Sequence, residues 1–282
     1  MKETRAEQLA VDILRPFDGH PFNVVDNEEM DQLVWSILTQ GLLTPLVVRP
    51  LDNGDYEVIS GHRRLHACKK AGIVTVPALI YAIDRDAAAI ALVDSNLQRE
   101  KILPSEKAFA YKLKRDALSH QGTTSPQVGE KLLTVEKVGL EAGDSKNQVL
   151  RYIRLTNLIP GILQKVDEGR IALTPAVELS YLTDAEQEDL LETMESEDCT
   201  PSLSQAIQMK ALSQSGQLDM DTIFHIMTQP KANQQEKISF KVSELRDFFP
   251  RHYTAAQMMQ EIILAIKERQ QRLQRQRNRD AR

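Results

Sequence analysis

The chain has 282 residues, 41% hydrophobic and 27% charged, which leaves room for two or three modest domains, each with its own core. Its aromatic content of only 5%, beside abundant Leu, Ala, Gln, Glu and Lys, leans the fold toward helix, and the far-apart Cys68 and Cys199 lack the spacing of a zinc site or a thiol redox motif. No apolar run reaches membrane-span length and no signal-peptide pattern is present, so the expected setting is the cytoplasm, with reduced thiols and no membrane partner.

The net charge of −5 is unevenly spread: Lys267, Arg269, Arg272, Arg275, Arg277, Arg279 and Arg282 crowd the tail against Glu268 and Asp280. Along the chain, Asn27 predicts a cap ahead of a helix in which Met30, Leu33, Val34, Ile37 and Leu38 recur at helical spacing up to Gly41. Residues 46–50 and 56–60, separated by Asp52-Asn53-Gly54-Asp55, predict an antiparallel hairpin. The run 74–81 is β-branched and contains Pro77, which suits a sheet edge or a strand end, and 84–98 predicts a helix.

Between the hairpin and the run 74–81 stands Gly61-His62-Arg63-Arg64-Leu65-His66-Ala67, followed by a helix closed at Gly72. A glycine after a strand permits a turn at positive φ, and two arginines then enter a helix at the end whose free N–H groups favour an anion. These seven residues alone fit either a phosphate-binding turn or the solvated start of a surface helix. From Ser105, expected as a cap, strand signals give way to helices: one through Phe109 and Ala117, a polar connection over 119–125, and a pattern with Val128, Leu132 and Leu133. After Gly143-Asp144-Ser145 comes a segment with the make-up of a recognition helix. Ser145 caps it, Val149, Tyr152 and Ile153 face inward, and Lys146, Asn147, Gln148, Arg151 and Arg154 reach outward, as side chains that read base edges and phosphates do. Helices are predicted over 162–168, 174–181, 184–195 and 202–213; 216–237 resembles a linker with one short helix, and 240–249 follows it. A last helix starts near Thr254 and carries Met258, Ile262, Leu264, Ala265 and Ile266 into the basic tail; that face suits either a dimer seam or its own domain.

Taken in order, Ser36-Ile37, Gly41-Leu42-Leu43-Thr44-Pro45-Leu46-Val47-Val48-Arg49, the arginine turn, Asn96-Leu97-Gln98-Arg99-Glu100 and Leu158-Ile159-Pro160 make the chain resemble the ParB family of DNA partition proteins, and among them the ParB-like proteins of integrative and conjugative elements. The resemblance covers most of residues 10–185. It implies an α+β fold: a small ParB/sulfiredoxin-like N-terminal domain over 1–98, an all-helical domain with a helix-turn-helix over 99–215, and a helical, dimerising segment over 216–282. It further implies a homodimeric clamp that binds cytidine triphosphate with magnesium, finds a palindromic site on double-stranded DNA and slides from it, with a ParA-type ATPase as partner. Carried over, Gly61, Arg63 and Arg64 hold the triphosphate, Thr44 flanks it, Asn96 positions the metal and Arg99 supports the site.

Three positions depart from the family pattern: His62 replaces a glutamate, His66 an arginine and Ser95 a glutamate. Magnesium wants carboxylate and phosphate oxygens, and neutral histidines supply less charge to phosphates, so phosphate binding is expected to outlive hydrolysis. Asp94 is the nearest carboxylate able to compensate. Two other readings stay open: a nucleotide-independent DNA-binding regulator or adaptor, and an enzyme of sulfiredoxin, nuclease or triphosphatase type. For the enzyme, Cys68 lies outside the loop and no carboxylate pair with a histidine stands out.

Overall fold

The computed structural model describes residues 5–99, 102–121, 135–140, 142–229, 245–250 and 252–280. They fall into two units, 1–229 and 230–282. The helical pattern expected around Val128, Leu132 and Leu133, the start of the 240–249 segment and Glu100 lie outside the described residues.

The first unit begins with a five-stranded mixed sheet: β1 (Arg5–Ala10), β2 (Leu14–Pro16), β3 (Leu46–Pro50), β4 (Tyr56–Ser60) and β5 (Thr75–Ile80), in the order β1-β5-β3-β4-β2. The expected hairpin is present, β3 pairing antiparallel with β4 across an irregularity at Val47/Val48. Strands β1 and β2 were not anticipated. Arg5-Ala6-Glu7-Gln8 has little strand propensity, but pairing with β5 overrides it and only Leu9 of β1 is buried. The pairing also corrects the placing of 74–81 at an edge, since β5 lies between β1 and β3. Proline is tolerated there because the β3 ladder starts one residue later, at Leu46 opposite Ala78, so that toward β3 Pro77 stands at a strand end.

Side-chain alternation divides the sheet between two layers. Leu46, Val48, Val58, Val76 and Ala78 face helices α1 (Glu28–Gln40) and α2 (His62–Lys70), which contribute Met30, Ile37, Leu65, Ala67 and Cys68. Ile59 and Val47 face the other way, onto α3 (Arg85–Leu97) and the 18-residue α4 (Pro104–Gln121) through Ala88, Leu92, Ala110 and Ala117. The expected cap on α1 is present, Asn27 Oδ1 accepting from the Met30 N–H at 3.1 Å, and α3 is capped in the same way by Asp84 Oδ1, which accepts from the Ala87 N–H at 2.7 Å. Ser105 does not cap α4, which already starts at Pro104. Its hydroxyl and N–H instead donate to Asp167 at 2.5 and 2.9 Å, joining α4 to the helical layer.

Beyond α4 come a helical stretch over 135–140, α5 (Lys146–Arg154), α6 (Pro160–Asp167), α7 (Leu173–Leu179), α8 (Asp184–Ser196), α9 (Leu203–Gln214) and α10 (Met220–Thr228). Helices α6–α10 share one core, in which the α6–α8 approach needs Gly161: a Cβ there would lie 2.4 Å from Leu191 Cδ2. Residues 216–229, expected as linker, belong to this unit, because Ile223, Ile226 and Met227 are buried in the same core. Gln205 ties α9 to α10 by donating to the Ile226 carbonyl at 2.7 Å. In the second unit, α11 (Ala255–Asp280) starts where expected, with Thr254 and Gln257 capping each other reciprocally.

Candidate functional site

The arginine turn forms one wall of a pocket of about 150 Å³. Gly61 ends β4 at φ 104°, where an L side chain is strained, and a Cβ would come within 2.6 Å of Leu46 Cδ2 and 3.0 Å of the Arg64 guanidinium. The turn leaves the first N–H groups of α2 without a side-chain cap, at a helix end that favours an anion. Gly61, Arg63, Arg64, Asn96 and Arg99, all expected, line the pocket together with Ser60, His62 and Ser95. His20, Phe22, Asn23 and Val24 complete the wall. They come from an irregular loop before α1 that carries no periodic signal in the sequence.

Each arginine is held by a different device. Arg63 pairs with Glu29 at 3.1 Å on the surface, a contact worth little that a phosphate can replace. Arg64 donates to the Thr44 and Pro45 carbonyls at 2.5 and 2.8 Å. Thr44 therefore orients an arginine with its backbone, and is not itself a wall residue. Arg99 lies over the Phe22 ring, 5.6 Å from its centroid.

The departures from the family pattern have structural roles. The Phe17 N–H donates to His62 Nε2 at 3.3 Å and the ring also bonds the Val58 backbone, so both its nitrogens are spent inside the fold. Burial, with His20 and Arg99 alongside, pushes its pKa down to about 3, which keeps it neutral. His66 turns to Asp26 at 3.1 Å and does not line the pocket. Asp94, the carboxylate considered as compensation, bonds the buried Lys114 of α4 and is likewise absent from the wall. Asn96 is buried, and its amide nitrogen donates to the Leu92 carbonyl at 2.8 Å and Ser95 Oγ at 3.2 Å. The described lining contains no carboxylate, and no cluster of three or more His, Cys, Asp or Glu suited to a metal ion occurs among the described residues. These residues do not fit a magnesium ion held by the protein. Cys68 is buried on the inner face of α2, where desolvation pushes its thiol up against the opposing charge of Arg64, the state of an unreactive thiol.

A second candidate surface is α5. Ser145 Oγ accepts from the Gln148 N–H at 3.3 Å, and Val149 and Ile153 bury against Tyr111, Val135 and Val138, giving the helix-turn-helix its small core. Asp144, in the turn, accepts from Tyr111 at 2.5 Å and pairs with Lys107 at 2.7 Å, so α4 grips the turn directly. Asn147 is exposed; Lys146 and Gln148 are partly so, Lys146 pairing with Glu136 at 2.9 Å. Arg151 donates to Thr174 Oγ1 at 2.6 Å. Arg154, expected to reach outward, is turned into the fold: it lies 3.8 Å above the Tyr181 ring and donates to the Ser180 carbonyl at 3.1 Å.

These residues form an α/β domain with an arginine-lined pocket at the start of a helix, packed on an all-helical part that holds a helix-turn-helix. Residues 1–97 match the family model described as ParB N-terminal domain. The chain is 28% identical over 245 residues to the probable chromosome-partitioning protein ParB of Vibrio cholerae, covering 86% of this chain and 79% of that protein. It is 36% identical over 185 residues to the chromosome-partitioning protein Spo0J of Thermus thermophilus, covering 65% of this chain and 62% of that one. Among solved structures, the C-terminally truncated ParB of Caulobacter crescentus complexed to the centromeric parS site aligns with 22% identity and a TM-score of 0.41, over 74% of this chain and 99% of that one. Over most of its length the chain is thus similar to chromosome-partitioning proteins of the ParB type, and its first 97 residues match the N-terminal domain of that family. It spans less than two thirds of the Thermus relative's length. No helix among the described residues is long and apolar enough to cross a membrane.

Proposed function

We propose that this protein is a sequence-specific DNA-binding protein of the partition type, acting in the segregation or maintenance of a chromosome, plasmid or mobile element. The observation that carries the reading is α5: a capped helix after a tight turn, clamped by an apolar core on one side and presenting Lys146, Asn147, Gln148 and Arg151 on the other. Amides and guanidinium groups in that order suit base edges and phosphates in a major groove. The pocket at Gly61 takes the phosphates of a nucleoside triphosphate, cytidine triphosphate by family. At about 150 Å³ it holds a phosphate group and leaves the nucleoside end outside, since whole-ligand pockets run to about 300–1,000 Å³. The protein works as a homodimer on a palindromic site, joined through α11, whose Ile263, Leu264 and Ile266 are exposed, with a ParA-type ATPase as its partner.

The neutral, internally bonded His62 and the lack of a carboxylate in the described wall favour a second reading, a DNA-binding regulator indifferent to nucleotide. Genome-wide DNA pull-down with and without cytidine triphosphate separates the two. Nucleotide-dependent spreading from a peak supports the clamp, and an unchanged peak supports the regulator. In gel shifts, Gln148→Ala with Arg151→Ala is expected to weaken specific binding at least tenfold, at about 1–3 kcal/mol per base contact, with little effect on random DNA. Equal losses on both would show that α5 is not the reading helix.

A further inference from the structure

Tyr181, which follows the Ser180 that closes α7, is held between two cations. The Arg154 guanidinium lies 3.8 Å from the centroid of its ring and the Lys210 ammonium 3.7 Å from it. Two cations this near one centroid would overlap if they shared a face, so they stand on opposite faces. Among the described residues Arg154 bonds only neutral acceptors, Ser180 Oγ at 3.2 Å and the Ser180 carbonyl at 3.1 Å, whereas Lys210 pairs with Glu178 at 2.8 Å. Two positive charges thus meet one carboxylate, and the ring that gathers them neutralises neither. Tyr181 itself is 40% exposed, and its hydroxyl has no hydrogen-bond partner among the described residues.

The place of this cluster gives it a ligand. Helix α7 runs beside the second half of α5: Arg151 reaches Thr174 in the first turn of α7, and Arg154, the last residue of α5, reaches Ser180 at its end. A recognition helix reads bases chiefly with its N-terminal residues. The nine residues of α5 extend about 13 Å, against a major groove about 12 Å wide, so its far end stands at the rim of the groove, where the sugar-phosphate backbone runs. Tyrosine hydroxyls and lysines are among the groups that bond phosphate oxygens there.

We propose that Tyr181, with Arg154 and Lys210 on its two faces, seats one phosphate of the DNA backbone beyond the bases that α5 reads. The Tyr181 hydroxyl donates to a phosphate oxygen, and the flanking cations supply the attraction. This inference rests on the DNA-binding reading above and deepens it: the duplex is gripped by α7 and α9 as well as read by α5.

Fluorescence anisotropy of the full chain on the duplex recovered by the pull-down, taken across a salt series, tests it with Tyr181→Phe, Lys210→Gln and Glu178→Gln. Phenylalanine keeps the ring between its cations and removes only the hydroxyl. Tyr181→Phe is expected to weaken binding about three- to tenfold with the salt dependence unchanged. Lys210→Gln is expected to weaken it and to lower the slope of log K against log salt by about one, and Glu178→Gln, which removes the competing carboxylate, to tighten it. Duplexes carrying single methylphosphonates, each lacking one phosphate charge, locate the seat. At one position the wild type is expected to lose about tenfold and Lys210→Gln less than about twofold. Unchanged binding by Tyr181→Phe and Lys210→Gln, or losses from methylphosphonate that are the same in wild type and variant at every position, overturn the inference and leave α5 as the reading helix. Should Lys210→Gln fail to fold by thermal melting, the other two variants decide, and weaker binding by Glu178→Gln would show that the cluster only braces the fold. A pull-down that recovers no site overturns the DNA-binding reading itself, and this inference with it.

Discussion

His62 replaces a charged position with a neutral one whose two ring nitrogens are committed to the Phe17 and Val58 backbone. In the unfolded chain this ring titrates near 6.5; in the fold it titrates near about 3. Between those values the unfolded chain binds a proton that the folded chain refuses, so stability is full above about pH 6.5 and falls as pH drops toward 3. The neighbouring His20, also lowered by burial, acts in the same direction, and Arg99 facing both rings reinforces it. Urea unfolding at pH 7 and pH 4.5 should show the wild type losing about 2–3 kcal/mol more than His62→Gln, which keeps an acceptor for Phe17 but does not titrate. Parallel losses in the two proteins would mean that His62 is not the group responsible. The sequence made Gly61, Arg63, Arg64, Asn96 and Arg99 legible because their order and spacing are local. His20 and Phe22 stayed hidden, since only the folded chain brings a non-periodic loop 42 residues upstream of His62 onto it.

Helix α5 draws its position from α4. The Asp144 carboxyl would be raised by its burial, yet hydrogen bonds from Lys107 and Tyr111 hold it below the ordinary value, and burial together with Asp144 pushes the Tyr111 hydroxyl far up. Asp144→Ala leaves Tyr111 and Lys107 without their acceptor, and the expected cost is about 1–3 kcal/mol in the urea midpoint, with weaker specific DNA binding because the turn before Ser145 loosens. An unchanged midpoint would count against this grip. Caps and apolar periods made α1, α3, α5 and α11 readable, for these signals lie within a turn of the element they start. Strand β1 was not readable because its pairing with β5 is the cause of its conformation. The Ser105 hydroxyl, read as a cap, was instead claimed by Asp167, 62 residues away.

At the scale of the whole molecule, the boundary between units lies after Gln229. Polarity hid this, because α10 is short and flanked by polar residues while its Ile223, Ile226 and Met227 complete a core built mainly from earlier helices. A chain ending at residue 229 should keep the urea midpoint of the first unit. One ending at residue 215 should lose on the order of 5 kcal/mol, at about 1.5–3 kcal/mol per buried apolar side chain, and expose the Gln205 amide. Equal midpoints would place the boundary earlier. The division at 98/99 reads as a change of composition, yet α3 and α4 on either side of it share Leu92, Ala110 and Ala117 in one core.

Within four residues, α4 gives Ala108 to the core of α6–α10, Ala110 to the sheet layer and Tyr111 to the core beneath α5. One residue's step turns a helix by about 100°, so the three contacts point along different radii of a single rod. A twist of that rod cannot be absorbed by one layer alone. The same helix, through Lys107 and Tyr111, also holds Asp144 in the turn that precedes Gln148 and Arg151.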